Sequence, residues 1–140
     1  MGYLLDANIL SELTRAEPSV RVVRRVRAHL FEIAISSTVL YELRSGVLVL
    51  PESKRRRDLR DHIDKFVLPN CEVIPFDERS AEWLASESAR LQRIGKPRPV
   101  LDGQIAAVAV TNDLTLVTRN IKDFADYEGL RVENWFEEVG

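Results

Sequence analysis

The stretch Tyr3-Leu4-Leu5-Asp6-Ala7-Asn8 is the most informative part of this sequence, because a short apolar run ends directly in a carboxylate. Tyr3 to Leu5 predicts a buried β-strand, and Asn8 to Arg15 predicts the helix that follows it. Ligand sites in open α/β sheets lie at the carboxyl ends of the strands, where Asp6 would stand. A structural role is equally compatible with the pattern, since an acid at this junction also caps a helix.

Three further acids stand in comparable positions. Asp102 follows the segment Pro99-Val100-Leu101, and Asp123 comes shortly after the apolar stretch from Leu114 to Val117. Glu42 lies inside an otherwise apolar helical segment that runs from Val39 to Leu50. Together with Asp6, these acids are predicted to meet at one edge of the sheet.

Each acid again has a simpler alternative. Asp102 is placed to cap a helix, and Glu42 is placed to form an ion pair with Arg44 or to lie on the surface. Either Asp123 or Asn120 would stabilise a turn. Four converging carboxylates repel one another unless a divalent cation holds them, and oxygen ligands suit Mg²⁺ or Mn²⁺.

Polar neighbours of the acids are predicted to orient them or to share the fourth ligand position. These neighbours are Asn8, Thr118 and Asn120. Lys96 and Arg98 precede Asp102 closely and are predicted to contact a substrate phosphate.

The composition excludes several classes of protein. The chain has 140 residues, 45% of them hydrophobic, which predicts one folded domain over residues 1–140. Twenty Lys and Arg against 22 Asp and Glu argue against nucleic-acid binding by bulk charge. One cysteine, Cys71, gives no disulfide and no zinc spacing, and no segment resembles a signal peptide or a membrane span. A cytoplasmic location is therefore expected.

Other catalytic chemistries lack their residues. The sequence contains no phosphate-binding glycine loop and no nucleophile elbow. His29 and His62 stand alone on charged helices, which predicts surface roles for both. Basic clusters at residues 21–27 and 54–60 are typical of solvated helix faces, although they are also able to hold a phosphate backbone.

The remaining chain alternates between strand and helix patterns, which predicts a layered α/β fold with a mostly parallel sheet of four to five strands. The further strands are expected at Glu32–Ser36, Cys71–Pro75, Leu114–Thr118 and Leu130–Glu133. The further helices are expected at Val20–Leu30, Val39–Leu50, Glu52–Phe66, Glu78–Arg93 and Asp102–Thr111.

Four segments together resemble the PIN-domain ribonucleases, in particular the VapC-type toxins and their FitB-like branch. They span nearly the whole chain and read YLLDANILSE (3–12), SSTVLYEL (36–43), DGQIAA (102–107) and LVTRNIKDF (116–124). The resemblance implies a three-layer α/β/α sandwich forming a single PIN domain. It also implies Mg²⁺- or Mn²⁺-dependent endoribonuclease activity.

By position, the family's metal-binding and catalytic quartet falls on Asp6, Glu42, Asp102 and Asp123. Ala7 stands where many relatives have Thr, and Asn120 stands where some have an acid.

The resemblance also implies partners. These toxins form homodimers, and a small antitoxin supplies the DNA-binding part and covers the acidic site with its C-terminal segment. Six apolar residues are able to line the receiving groove, although core packing also explains most of them, namely Ile9, Leu10, Leu13, Leu40, Leu43 and Val47. Two alternatives stay open: a non-catalytic module that acts through antitoxin binding and an operator complex, and a DNA nuclease of related fold.

Overall fold

A computed structural model describes residues 2–137 of the chain. The strands are β1 (Tyr3–Leu5), β2 (Ile33–Ser36), β3 (Glu72–Ile74), β4 (Thr115–Val117) and β5 (Val132–Glu133). The helices are α1 (Ala7–Glu12), α2 (Val20–Ala28), α3 (Ser37–Leu48), α4 (Lys54–His62), α5 (Leu68–Asn70), α6 (Glu78–Arg93) and α7 (Val100–Thr111). A π-helical turn (Ile63–Val67) joins α4 to α5, and a 3₁₀ helix (Ile121–Phe124) follows β4.

All strand pairs of the sheet are parallel, and the order across it is β3-β2-β1-β4-β5. Helices flank the sheet, which confirms the predicted α/β/α architecture. The chain builds the sheet outward from β1 in one direction and then returns to add β4 on the other side. Strand order therefore reverses between β1 and β4, and this is where open α/β sheets bind ligands.

The core lies between the sheet and its helices and contains fully buried side chains such as Leu5, Ile35, Ile105 and Leu116. Such burial is expected for β1, β2 and β4, because parallel strands covered on both faces read as continuous apolar runs. Trp135, which follows β5, is also fully buried. Among the described residues, no helix is long and apolar enough to cross a bilayer.

Several predicted boundaries were wrong by two or three residues, and three of them have a clear structural cause. Helix α1 ends at Glu12 rather than Arg15, because the chain turns there and Thr14 and Arg15 donate their amides to carbonyls of the last turn. The predicted helix from Glu52 to Phe66 starts at Lys54 instead, where Ser53 caps it. Helix α7 begins two residues before Asp102, at Val100, directly after the conformationally fixed Pro99.

The two histidines are less exposed than predicted. His29 stacks on Trp135 at 5.4 Å between ring centroids and pairs with Glu32 at 2.7 Å. His62 is half-buried, lies 3.1 Å from the carbonyl oxygen of Leu10 and has a pKa lowered mainly by burial. Both histidines therefore pack against other parts of the fold, and neither is a member of the predicted acidic site.

Candidate metal-binding and nuclease site

The site lies at the carboxyl ends of β1 and β4. The two strands pair in register from Tyr3 opposite Thr115 to Leu5 opposite Val117, so the residues that leave them start side by side. The amide of Asp6 donates to the carbonyl of Val117 at 2.9 Å, which continues the ladder by one bond. Sheet pairing thus brings together residues more than 100 positions apart in sequence.

Asp6 is only 8% exposed and is held through both carboxylate oxygens. Oδ1 accepts from the amide of Ala7 at 2.8 Å, so the residue does cap α1. Oδ2 accepts from the Thr118 hydroxyl at 2.8 Å and from the Asn8 amide at 3.3 Å. Capping and site formation are therefore compatible, and the predicted orienting roles of Asn8 and Thr118 agree with these contacts.

Glu42 reaches the same region from α3. The predicted ion pair with Arg44 is wrong, because Arg44 pairs with Asp64 at 2.6 Å. Glu42 is half-buried, and its Oε1 is buried without a hydrogen-bond partner among the described residues. A buried carboxylate oxygen that stays unpaired loses hydration without compensation, so this atom is a candidate to contact a ligand.

Asp102 lies in the first turn of α7 and is not the residue that caps it, which corrects the capping alternative. Helix α7 packs closely on α6 here, since a Cβ on Gly103 would lie 2.6 Å from Leu84 Cδ1. The same Cβ would lie 3.4 Å from the Tyr127 hydroxyl. A residue without a side chain beside Asp102 thus lets the start of α7 approach its neighbours.

The two candidates for the fourth ligand position, Asp123 and Asn120, have different surroundings. Asp123 lies in the 3₁₀ helix and is close enough to both Asp6 and Asp102 to raise the pKa of each. The amide of Asn120 donates to the Thr118 hydroxyl at 3.1 Å, which ties this turn to the oxygen that holds Asp6. We name Asp6, Glu42, Asp102 and Asp123 together the acidic edge.

Three residues of the acidic edge, Asp6, Glu42 and Asp102, have raised pKa values. Burial raises the pKa of Asp6, and the hydrogen bonds from Thr118 and Ala7 oppose that rise only in part. Burial also raises the pKa of Glu42 and of Asp102, and in both cases the neighbouring charge of Asp6 adds to the effect. Like charges crowded in a partly buried cluster favour binding of a cation.

The donor chemistry of the acidic edge fits a hard divalent cation, because every ligand atom is a carboxylate oxygen and one of them lacks a partner. The side chains are not closed around a common point. Within residues 2–137, no group of three or more Asp, Glu, His or Cys side chains is arranged to hold a metal ion.

The two predicted phosphate ligands are engaged by one acid. Arg98 forms a close ion pair with Asp126, and Lys96 Nζ lies 3.6 Å from the same carboxylate. The Nε of Arg98 is buried and has no hydrogen-bond partner in the described part of the chain. Contact of either cation with RNA remains a prediction.

A groove of about 580 Å³ runs from the acidic edge between α1, α3 and α4. Leu43 and Val47 line it as predicted, whereas Ile9 and Leu10 are fully buried in the core and do not. Ile9 and Leu10 lie on the buried face of α1, whereas Ala7, Asn8 and Ser11 of the same helix face the groove. The groove is bordered by basic side chains, namely Arg15, Arg55, His62 and Arg119.

The sequence did not predict several buried acids and contacts around the site. Glu12, the last residue of α1, and Glu87, in the highly charged helix α6, are only 5% and 7% exposed. Glu12 accepts from the amide of Ser19 at 2.8 Å, which fixes the turn after α1. Arg119 packs on the Phe136 ring at 4.3 Å beside the groove. The only available signal was an acid at a core-facing helical position, as at Glu12 between Leu10 and Leu13.

Comparison with known proteins agrees with this geometry. The family model described as PIN domain matches residues 3–130. The chain belongs to the PIN-domain family. Two similar relatives are 34% identical: VapC ribonuclease Y4jK of Sinorhizobium fredii, over 96% of this chain and 97% of the relative, and toxin FitB of Neisseria gonorrhoeae, over 86% and 89%.

A solved structure of FitAB bound to a DNA fragment contains a chain with the same fold as this PIN domain. The two chains superpose with a TM-score of 0.90 and 30% sequence identity, and the match covers 99% of this chain and 98% of the other. The resemblance stated for the four sequence segments is thereby confirmed.

Proposed function

We propose that this PIN domain is a Mg²⁺- or Mn²⁺-dependent endoribonuclease and the toxin of a toxin–antitoxin pair. The observation that carries the proposal is the crowding of the acidic edge at the reversal point of the sheet, with Glu42 Oε1 buried and unpaired. A carboxylate with only a structural role would be expected to have partners. The names of the relatives, a VapC ribonuclease and a toxin, support the same activity.

We assign the metal to the acidic edge, with Asp6 and Asp102 as the firmest ligands and Glu42 and Asp123 completing the set. A bound Mg²⁺ or Mn²⁺ supplies an activated water and stabilises charge on the cleaved phosphodiester. Mg²⁺ commonly keeps several waters and uses one or two protein carboxylates. An acidic edge that does not close on a common point is compatible with that mode of binding.

The side chains of the site have distinct tasks in this proposal. Thr118, Asn8 and the Ala7 amide fix both oxygens of Asp6, so that its orientation is set before any ligand binds. Glu42 Oε1, which is buried and has no hydrogen-bond partner among the described residues, is the atom through which Glu42 would contact the metal.

The expected partners follow from the same family. An antitoxin segment is proposed to occupy the groove beside the acidic edge, and DNA binding is assigned to the antitoxin rather than to this chain. A DNA-bound FitAB structure with the same fold in one chain is consistent with that division of roles. A homodimer and a cytoplasmic location remain predictions.

One observation favours the second candidate, a non-catalytic module that acts through antitoxin and operator DNA. The acidic side chains in residues 2–137 do not form a ready-made metal site. The two functions differ in their need for metal, because only the nuclease must bind Mg²⁺ or Mn²⁺.

The test is cleavage of structured RNAs by the purified protein with Mg²⁺ or Mn²⁺, with EDTA, and with flap DNA as the competing substrate. Asp6→Asn removes a proposed ligand, and we expect it to lower kcat by more than about 100-fold, beyond the usual effect of losing a residue behind a ligand. Glu82→Gln, which neutralises an exposed acid on α6, is the matched control and should cleave normally.

Cleavage that persists in EDTA and in Asp6→Asn would refute the metal mechanism. Preference for flap DNA would point to a DNA nuclease. A protein that binds neither ion at millimolar concentration and leaves every substrate intact would favour the non-catalytic module.

A further inference from the structure

Two acids of the acidic edge come from segments that the sheet does not hold. Asp102 follows the loop between α6 and α7, and Asp123 lies in a short 3₁₀ helix that leads into residues 125–131. Neither acid belongs to a strand, so sheet pairing alone does not fix their separation.

An ion pair joins the two segments directly. Arg98, four residues before Asp102, pairs closely with Asp126, three residues after Asp123. Lys96 approaches the same carboxylate at 3.6 Å. The guanidinium of Arg98 is also near enough to Asp102 to act on its pKa.

Two side chains of helix α6 bind the backbone of the second segment, residues 125–131. Arg90 donates to the carbonyl oxygen of Asp126 at 2.7 Å, and the amide of Glu128 donates to Glu87 at 2.8 Å. Glu87 and Arg90 also pair with each other at 2.5 Å. Because Glu87 is almost fully buried, solvent screens these interactions less than it screens exposed ion pairs.

Apolar contacts complete the link between the same elements. Tyr127 is 5% exposed and packs against Phe124 in the 3₁₀ helix and Trp83 in α6. Its hydroxyl lies beside Gly103, in the first turn of α7. One short segment, residues 126–128, therefore contacts α6, the α6–α7 loop and the start of α7.

We propose that Glu87, Arg90, Arg98 and Asp126 form a polar clamp that positions Asp123 relative to Asp102. In this inference the clamp residues are positioning residues, since Arg98 is engaged by Asp126 and acts through the acids. The inference rests on the proposed nuclease function. In this arrangement Asp126 holds Lys96 and Arg98, the two cations that the sequence predicted to contact a substrate phosphate.

Asp126→Asn and Arg98→Met each break the clamp, and Asp113→Asn is the matched control. Asp113 pairs with Arg131 at 3.0 Å near the start of β4, away from the carboxyl ends of the strands. Its positive φ of 55° is a conformation that Asn tolerates. Each Asp→Asn change therefore removes one Asp–Arg ion pair and the same charge.

The first measurement is amide hydrogen exchange of the metal-free protein, which needs no activity. We expect faster exchange over residues 98–103 and 121–128 in both clamp variants and an unchanged rate there in Asp113→Asn. Arg98→Lys, which keeps the charge, should restore part of the protection. Unchanged exchange in Asp126→Asn and Arg98→Met would overturn the clamp.

The second measurement is Mn²⁺ affinity by calorimetry together with kcat and KM on RNA. Loss of a residue behind a metal ligand weakens binding about 10–100-fold, so we expect about a tenfold loss of Mn²⁺ affinity and a fall in kcat with little change in KM. Clamp variants that open in the exchange experiment but bind Mn²⁺ like the wild type would overturn the positioning role. Wild-type protein that neither binds Mn²⁺ nor cleaves RNA would instead refute the proposed function, whatever the exchange rates show.

Discussion

The acidic edge and the polar clamp are neighbouring clusters of acids with opposite electrostatics. In the clamp, hydrogen bonds from Arg90 lower the pKa of Glu87, and hydrogen bonds from Arg98 lower the pKa of Asp126. In the acidic edge, burial and like charge raise the pKa of Asp6, Glu42 and Asp102. The comparison indicates that acids with a structural role are paired with arginines by the fold. The acids that we propose as metal ligands lie close to other acids instead.

Glu87→Gln should produce the largest change, because it weakens a buried, charge-assisted network. We expect a loss of about 1.5–3 kcal/mol in the free energy of unfolding, the usual contribution of a hydrogen bond to a charged group. Denaturant unfolding in EDTA measures it, with exposed Glu82→Gln on the same helix as the control. Equal stability of the two variants would show that the clamp acid is not structurally paired.

Thr118→Val tests Asp6, whose carboxylate accepts hydrogen bonds from its neighbours. It removes the hydroxyl that donates to Asp6 at 2.8 Å and keeps nearly the same volume. We expect about a tenfold loss of Mn²⁺ affinity, since partners behind a ligand orient it. Thr14→Val removes an exposed hydroxyl bonded to Ser11 and should leave the affinity unchanged, so equal losses in both variants would contradict the assignment.

Glu42→Gln should cause the smallest change, and one of opposite sign to Glu87→Gln. The pKa of Glu42 lies above its ordinary value of 4.5, so the folded state holds the proton more tightly than the unfolded state does. Ionising Glu42 therefore lowers stability as pH rises from 4.5 through the folded pKa. The variant should have a higher Tm than the wild type in EDTA at about pH 7 and the same Tm at about pH 4.

Glu87 should show the reverse dependence on pH. Its pKa is lowered, so its stabilisation is present above the ordinary value of 4.5 and is lost as pH falls through the folded pKa.

A Glu42→Gln protein whose Tm falls at neutral pH would mean that Glu42 is already paired without a ligand.

The alternation of strands and helices could be predicted because parallel strands buried on both faces leave continuous apolar runs. The start of α7 could not, since Pro99, Val100 and Leu101 read equally well as a strand or as the first turn of a helix. Glu42 was ambiguous for a different reason: its expected partner Arg44 finds Asp64, which lies 20 residues away. Short-range patterns do not contain such pairings.

By itself, the sequence determined the family and predicted the four acids of the candidate site, because Asp6, Glu42, Asp102 and Asp123 stand in four segments that together mark the PIN family. Tertiary structure alone decided how they differ. Pairing of β1 with β4 gives Asp6 its Thr118 partner, while packing of α3 leaves Glu42 Oε1 without one. The physical reason is that desolvation and hydrogen bonding depend on which segments meet in space, and spacing along the chain does not fix those meetings.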